Sequence, residues 1–238
     1  MRINPFVNNL IGLRAFGQSA EMRIIRTLEE LPPHRVKDKL VYVLHEIGTK
    51  ESVPILREII LHEENDTYTR RTAIQALTKI APNDAVNPLV LVLKSSTDDE
   101  LRRWAANFLG RTNTEAVHGL LNALSDVPYV KDAVIRSLGK LGDKNAVPHL
   151  LAALTDHRNI LRDKYGARMG VPYVTIAGSA AHALMNFSSE ARAHLIQMRE
   201  SNPQQLDRIY NQFPWEWIDQ WRGKNYLQIV GELNNLLQ

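Results

Sequence analysis

The feature that most limits how this chain can fold is a phrase that recurs between Thr69 and Leu154. Its clearest copy is Leu138-Gly139-Lys140-Leu141-Gly142 followed by Ala146-Val147-Pro148-His149-Leu150-Leu151. Earlier copies run from Ala76-Leu77 to Ala85-Val86-Asn87-Pro88-Leu89 and from Phe108-Leu109-Gly110 to Ala116-Val117-His118-Gly119-Leu120-Leu121. A weaker one spans Leu44 to Leu56. The marker residues Val53, Val86, Val117 and Val147 stand 33, 31 and 30 residues apart, the period of a solenoid of stacked helical pairs. Each copy carries two apolar stripes at helical spacing, such as Ala73, Ala76, Leu77 and Ile80, then Val86, Leu89, Val90 and Leu93. Neither helix of such a pair can bury its stripe alone, so neighbouring pairs must stack. Gly48, Gly110 and Gly142 fall where first helices should stop and are expected to supply left-handed C-terminal residues. Asp98, Asp126 and Asp156 fall between units and are expected to cap the helices that follow. The predicted fold is all-α, an α-solenoid of helical pairs with capping helices at both ends.

The units resemble the HEAT-like repeats of the phycobilisome-lyase type, whose pattern is Val-Arg-x-x-Ala-x-x-Ala-Leu-Gly-x-Leu-Gly followed by Ala-Val-Pro-x-Leu. The match is closest from Val130 to Leu151 and looser at Leu101 to Leu121, Thr69 to Leu89 and Val36 to Leu56, about half of the chain. The resemblance implies the fold. It does not select among functions, because such repeats serve bilin lyases, their non-lyase relatives and adaptor proteins alike.

A chain of 238 residues with 44% hydrophobic residues can bury a sizeable core, read here as one solenoid domain. A net charge of +3 permits an acidic partner without demanding one. The absence of cysteine removes disulfides, thiolate metal sites and Cys nucleophiles together and suits a reducing cytoplasm. Met1 to Ala20 has no signal-peptide core and no run approaches the ~18 apolar residues of a membrane span, so a cytoplasmic chain is expected.

The expected organisation is an N-terminal cap over 1–33, four repeats over 34–157, an insert over 158–173, a fifth repeat over 174–202 and a C-terminal cap over 203–238. In the cap, Pro5 opens a helix carrying Phe6, Val7, Leu10 and Ile11, and Gly12 and Gly17 shorten or break it. Ser19 is the expected cap of a second helix that buries Ile24, Ile25, Leu28 and Leu31.

The first clear repeat contains His45-Glu46. Deoxyhypusine hydroxylase, also built of HEAT repeats, binds a di-iron centre through several His-Glu pairs at matching positions. Here the matching places hold Thr78-Lys79, Gly110-Arg111 and Gly139-Lys140, so His45-Glu46 reads as the polar end of a helix. His118 and His149 lie on neighbouring second helices, but two His with no further ligand make a poor metal site.

Arg70, Arg71, Arg102, Arg103 and Lys131 recur on first helices, and Asp98 and Asp99 precede Arg102 and Arg103 by four residues, an ion-pair spacing. Second helices line the concave side of HEAT stacks. Their outward positions hold Glu58, Leu91, Asn122 and Ala152, then Leu61, Lys94, Ser125 and Thr155, with His118 and His149 among the groove-lining polar residues. This stripe is nearly neutral, whereas a duplex groove needs many cations. It suits a protein segment, with Glu58, Leu61, Leu91, Lys94, His118, Asn122 and His149 as candidate contacts, and its apolar positions leave a homo-oligomer open.

After Asp156 the period lengthens: Leu138 is followed by its next equivalent, Leu184, only after 46 residues. The inserted segment carries Arg158, Arg162, Lys164, Tyr165, Arg168 and Tyr173, residue types that binding surfaces favour. The small-residue run Ala177 to Ala181 should let its helix approach a neighbour closely, and Ser188 or Ser189 should cap the helix after it, with Leu195 and Met198 inward. In the tail, Trp215, Trp217 and Trp221 cannot all face one way at helical spacing, so one of them is a candidate partner anchor.

The leading expectation is a non-catalytic scaffold that binds another protein through its groove or basic insert. A chromophore chaperone like the bilin lyase subunits, holding a tetrapyrrole with its propionates on Arg158, Arg162 or Arg168, is the alternative that the resemblance implies. Nucleic-acid binding is third. No Ser/His/Asp set, phosphate-cradling Gly loop or paired-carboxylate site is legible, and no metal or other cofactor is expected.

Overall fold

The computed structural model describes residues 5–32, 36–158, 160 and 175–212. The chain divides into two compact units, residues 1–113 and 114–238. Each is a stack of helical pairs, the α-solenoid architecture that the period predicts.

In the first unit, α1 (Pro5–Glu30) precedes two complete pairs and the first helix of a third. The pairs are α2 (Val36–Ile47) with α3 (Val53–Leu61) and α4 (Thr67–Ile80) with α5 (Pro82–Ser95), followed by α6 (Asp99–Leu109). First helices pack on first helices, α2 on α4 and α4 on α6, while α3 lies against α5. Between these layers Leu44, Leu56, Ile74, Leu77, Leu89, Leu101 and Leu109 are fully buried. α1 breaks at Gly17, where φ is +50°, a backbone region that glycine enters without penalty. The break falls two residues before Ser19, so Ser19 lies within the second segment rather than at its cap. That segment buries Ile24, Ile25 and Leu28 as the pattern requires but leaves Leu31, at its end, half-buried, and it also buries Glu21, which the pattern does not foresee.

Glu21 explains how α1 is fastened. Its carboxylate accepts hydrogen bonds from the Thr49 amide (2.7 Å), the Thr49 hydroxyl (3.0 and 3.1 Å) and the Ser52 hydroxyl (2.6 Å). These donors sit on the short 3-10 turn (Lys50–Ser52) and its cap that lead into α3, where amides unpaired within the helix favour a negative charge.

In the second unit, α7 (Ala116–Asn122) packs on α8 (Pro128–Leu141). α9 (Val147–Ala153), α10 (Ile176–Leu184), α11 (Ser188–Ser201) and α12 (Pro203–Gln212) follow. α10 packs on both α8 and α9, and α11 on α9 and α12. The small-residue run lets α10 come close: Ala177, Ala180, Ala181 and Ala183 are buried, and an added Cβ on Gly139 would lie 2.8 Å from the Ala183 Cβ. Gly178 itself is not what permits the approach, since a Cβ there would meet only the Thr175 Oγ1 at 3.5 Å.

Several capping expectations need correction. Gly142 is left-handed, with φ +70°, but Gly110 has φ −66° and Gly48 is not among the positive-φ glycines. Gly48 is needed for space instead, because a Cβ there would collide with the Leu44 carbonyl oxygen and sit 2.9 Å from the Ile80 Cδ1. Asp98 does cap α6, accepting from the Glu100 and Leu101 amides. Asp126 stands one residue too early: its carboxylate accepts from the amide of Val127, which is the residue at the cap position of α8. Neither serine caps α11: the cap position is Phe187, and the Ser189 hydroxyl donates to Glu190. Asp66 does cap α4, although the period had not pointed to it. Leu195 is buried as expected, while Met198 is only half-buried.

Candidate functional site

The outward positions of the second helices are where the register places them. In the first unit Glu58 and Leu61 are exposed on α3, and Leu91 and Lys94 on α5, with Leu61 at 39% and Leu91 at 47% exposure. In the second unit His118 and Asn122 are exposed on α7 and His149 and Ala152 on α9, while Ser125 follows α7 and is exposed too. Thr155 is half-buried. The stripe of the first unit joins two apolar groups to one acid and one base. That composition offers a protein segment apolar contact without a field of one sign.

The basic residues of the first helices are largely committed to the fold. Arg70 is buried, and its Nε donates to the Ile60 carbonyl at 2.8 Å. Arg102, at the equivalent place one repeat on, donates from Nη1 to the Ser96 carbonyl at 2.9 Å. Each arginine therefore satisfies a carbonyl at the end of the preceding second helix, where the helix leaves acceptors without partners. Arg103 pairs with Glu100 at 3.5 Å, an i,i+3 bridge beside the i,i+4 spacing anticipated. The carboxylate of Asp98 serves the cap and also receives the Thr67 hydroxyl from the neighbouring repeat.

Of the insert, Arg158 lies among the described residues, and Arg162, Lys164, Tyr165, Arg168 and Tyr173 lie outside them, as do Trp215, Trp217 and Trp221. Arg158 is exposed, yet its guanidinium closes on Asp156 through Nε (2.9 Å) and Nη2 (2.7 Å). Lys131 of α8 reaches the same carboxylate at 2.9 Å. The Asp156 carbonyl accepts from the Ala177 amide and the Arg158 carbonyl from the Ile176 amide, at 2.8 and 3.2 Å. Asp156 and Arg158 thus tie the two ends of the inserted segment to each other at its base. The Asp156 carboxylate also accepts from the Arg158 amide at 3.2 Å, and most of the residues it was expected to cap lie outside the described ones. It is a two-cation clamp.

Burial pushes the Asp156 carboxyl up, but hydrogen bonds from Arg158 and Lys131 outweigh it and hold the group well below the ordinary carboxylate range. The unfolded chain then binds the extra proton more readily than the folded one. The clamp's contribution is complete above pH ~4 and is lost as pH falls further. Thermal melts across pH 2 to 7 should show Asp156→Asn less stable than the parent at neutral pH, with the difference shrinking on acidification. A difference that stays constant with pH would show the clamp does not titrate as described.

Beside the end of α9 lies a cleft of about 540 Å³ lined by Ala152, Thr155, Asn202, Gln204, Gln205, Arg208 and Ile209. Its polar groups are amides, a hydroxyl and one guanidinium. Sequence reasoning had placed Ala152 and Thr155 on the exposed stripe but had no signal for the α12 residues, because α12 lies beyond the periodic region. His45 and Glu46 bond each other at 3.0 Å. Among the described residues no three His, Asp or Glu side chains gather as metal ligands, and no helix is long and apolar enough to cross a membrane.

A comparison with known protein families agrees with this architecture. A family model for HEAT repeats matches residues 23–110 and again 86–165. The phycocyanobilin lyase subunit alpha of Picosynechococcus sp. is 36% identical over 104 residues, 40% of this chain and 39% of that protein. The match therefore spans about two fifths of the relative's length. Human deoxyhypusine hydroxylase, solved in complex with glycerol, aligns over 86% of this chain and 90% of its own at 18% identity and a TM-score of 0.35.

Proposed function

Since the chain belongs to the HEAT-repeat family, we propose that it is a scaffold that binds a protein segment along the second-helix surface of its first unit. The observation that carries this reading is the pair of exposed leucines, Leu61 and Leu91, set beside Glu58 and Lys94 in a stripe of low net charge. Apolar groups that the fold leaves uncovered at regular repeat positions are anchors for a partner, and the flanking charges orient it. The name of the relative adds support, since a lyase subunit works within an assembly of protein chains.

The second reading is a subunit acting on a phycocyanobilin-type tetrapyrrole. It is favoured by the 36% identical lyase subunit and by the cleft at Arg208, whose guanidinium and amides suit propionate and pyrrole groups. Under this reading the Arg158 guanidinium, which holds Asp156 through Nε and Nη2, would have to share or leave that carboxylate to meet a propionate.

One experiment separates the two. The chain is produced with the bilin-synthesising enzymes, purified, photo-crosslinked through a residue placed at position 94, and compared with Leu91→Asp. A crosslinked protein present with the parent and reduced at least tenfold in a folded Leu91→Asp supports the scaffold. Equal crosslinking by both sinks it, and visible absorbance lost on Arg208→Ala favours the tetrapyrrole reading.

A further inference from the structure

We propose that the first-helix face of the 1–113 unit, centred on Arg71 and Trp104, is a docking surface for an acidic protein segment. This face differs from the second-helix stripe, and the inference stands whether or not that stripe binds anything. Arg71 on α4 lies over the ring of Tyr68, one turn earlier, at 5.0 Å, and over Trp104 of α6 at 4.9 Å. Trp104 stacks on Phe108 at 5.9 Å. Arg103 lies over Trp104 at 5.9 Å, and Arg111 over Phe108 at 4.9 Å. Two repeats thus assemble a row of rings threaded by three guanidiniums.

The row is partly open to solvent. Tyr68 is 52% exposed, Trp104 half-buried and Arg111 exposed. The acid within the row is Glu100, and it is already engaged by the Trp104 Nε1 (3.0 Å) and by Arg103. The charge left to present is positive.

The state of Arg71 narrows the chemistry. A guanidinium whose faces lie over rings donates its hydrogen bonds in its own plane, the geometry that a carboxylate accepts. The Arg71 Nε is buried and has no hydrogen-bond partner. The Nε is closed off from any partner, so the terminal Nη groups of this half-buried side chain are the donors a partner's carboxylate can meet. Rings beside such a group add apolar contact that a peptide side chain can use, which is why Arg, Trp and Tyr dominate interface anchors.

A nucleic acid fits less well. Its affinity needs phosphate contacts repeated along a stripe, and the basic residues that would extend this one, Arg70 and Arg102, are turned onto backbone carbonyls. The row is a local patch rather than an extended stripe of cations.

The test uses the full chain and three rhodamine-labelled probes of equal length: a peptide alternating Glu with Phe and Gly, the same peptide with Lys for Glu, and a single-stranded oligonucleotide. Fluorescence anisotropy in low salt should show the Glu peptide binding at least tenfold more tightly than the other two. Arg71→Gln should weaken it about tenfold. Arg111→Gln, a change at an exposed position, should weaken it several-fold, and Lys140→Gln, exposed in the 114–238 unit, should leave it unchanged. Circular dichroism confirms that each variant is folded. The proposal is overturned if the Glu peptide does not bind, if the oligonucleotide binds as tightly, or if neither arginine variant weakens binding.

Discussion

Gly139→Val should destabilise the chain by about 3 kcal/mol, at the upper end of what overpacking costs. A Cβ at this position would stand 2.8 Å from the Ala183 Cβ and 3.0 Å from its Cα. Those atoms belong to the backbone of α10 or are fixed to it, so no rotamer change can relieve the contact. The helices must separate, and with them the buried Ile135, Leu138, Ala180 and Leu184. The Asn186 amide, which donates to the Gly139 carbonyl at 2.9 Å, would also be displaced. Hydrogen exchange should locate the loss in α8 and α10, since contacts in a repeat stack are between neighbours. Gly139→Ala combined with Ala183→Gly restores one Cβ to the contact and should recover most of the stability lost by Gly139→Ala alone. If the pair is simply additive, the close approach of α8 and α10 is not as described.

Leu77→Ala should cost a similar amount, about 3 kcal/mol, for the opposite reason: it leaves a cavity where the unit is most closely packed. Leu77 is fully buried in α4, which contacts α2, α3, α5 and α6. Helices held on four sides cannot close on a gap without disturbing their other contacts, so little of the lost packing returns. Thermal unfolding followed by circular dichroism should show a midpoint lower by about 10 °C, given the usual relation between stability and melting temperature at this size. A shift under about 2 °C would mean that the layers of this unit relax freely.

The two changes bracket what the repeat reveals. Leu77 is legible from sequence because its neighbours Ala73, Ala76 and Ile80 share a helical stripe, and burial follows from that stripe directly. Gly139 stands in the same phrase, but its neighbour 44 positions on is hidden by the lengthened period. The small residues from Ala177 onward signal a close approach without naming the residue approached. Gly48 was misread for a related reason, since a glycine spared for space and one needed for left-handed backbone look alike in sequence.

The candidate surfaces divide in the same way. Exposure of Glu58, Leu61, Leu91 and Lys94 could be read from the register, because a residue five or eight positions after the marker valine faces away from the buried stripe. The row of Tyr68, Arg71, Trp104 and Arg111 could not. Its members read as an ordinary basic pattern until α4 and α6 lie side by side and bring Trp104 over to Arg71. The cleft at Arg208 was equally hidden, as α12 follows the last recognisable phrase.

What the sequence determined by itself is the kind of fold: a period near 31 residues with paired apolar stripes admits stacked helical pairs, because no single pair can bury its own surface. Only the tertiary structure decided which polar groups are spent and which remain available. Arg70, Arg102, Asp98 and Asp156 have the composition of a binding surface and are consumed in carbonyl caps, helix caps and a clamp. Arg71 has the same side chain as Arg70, one residue away, and is held over two rings with its Nε unpaired. A helical rotation of about 100° separates those two fates, and what lies on each side is set by helices distant in the chain.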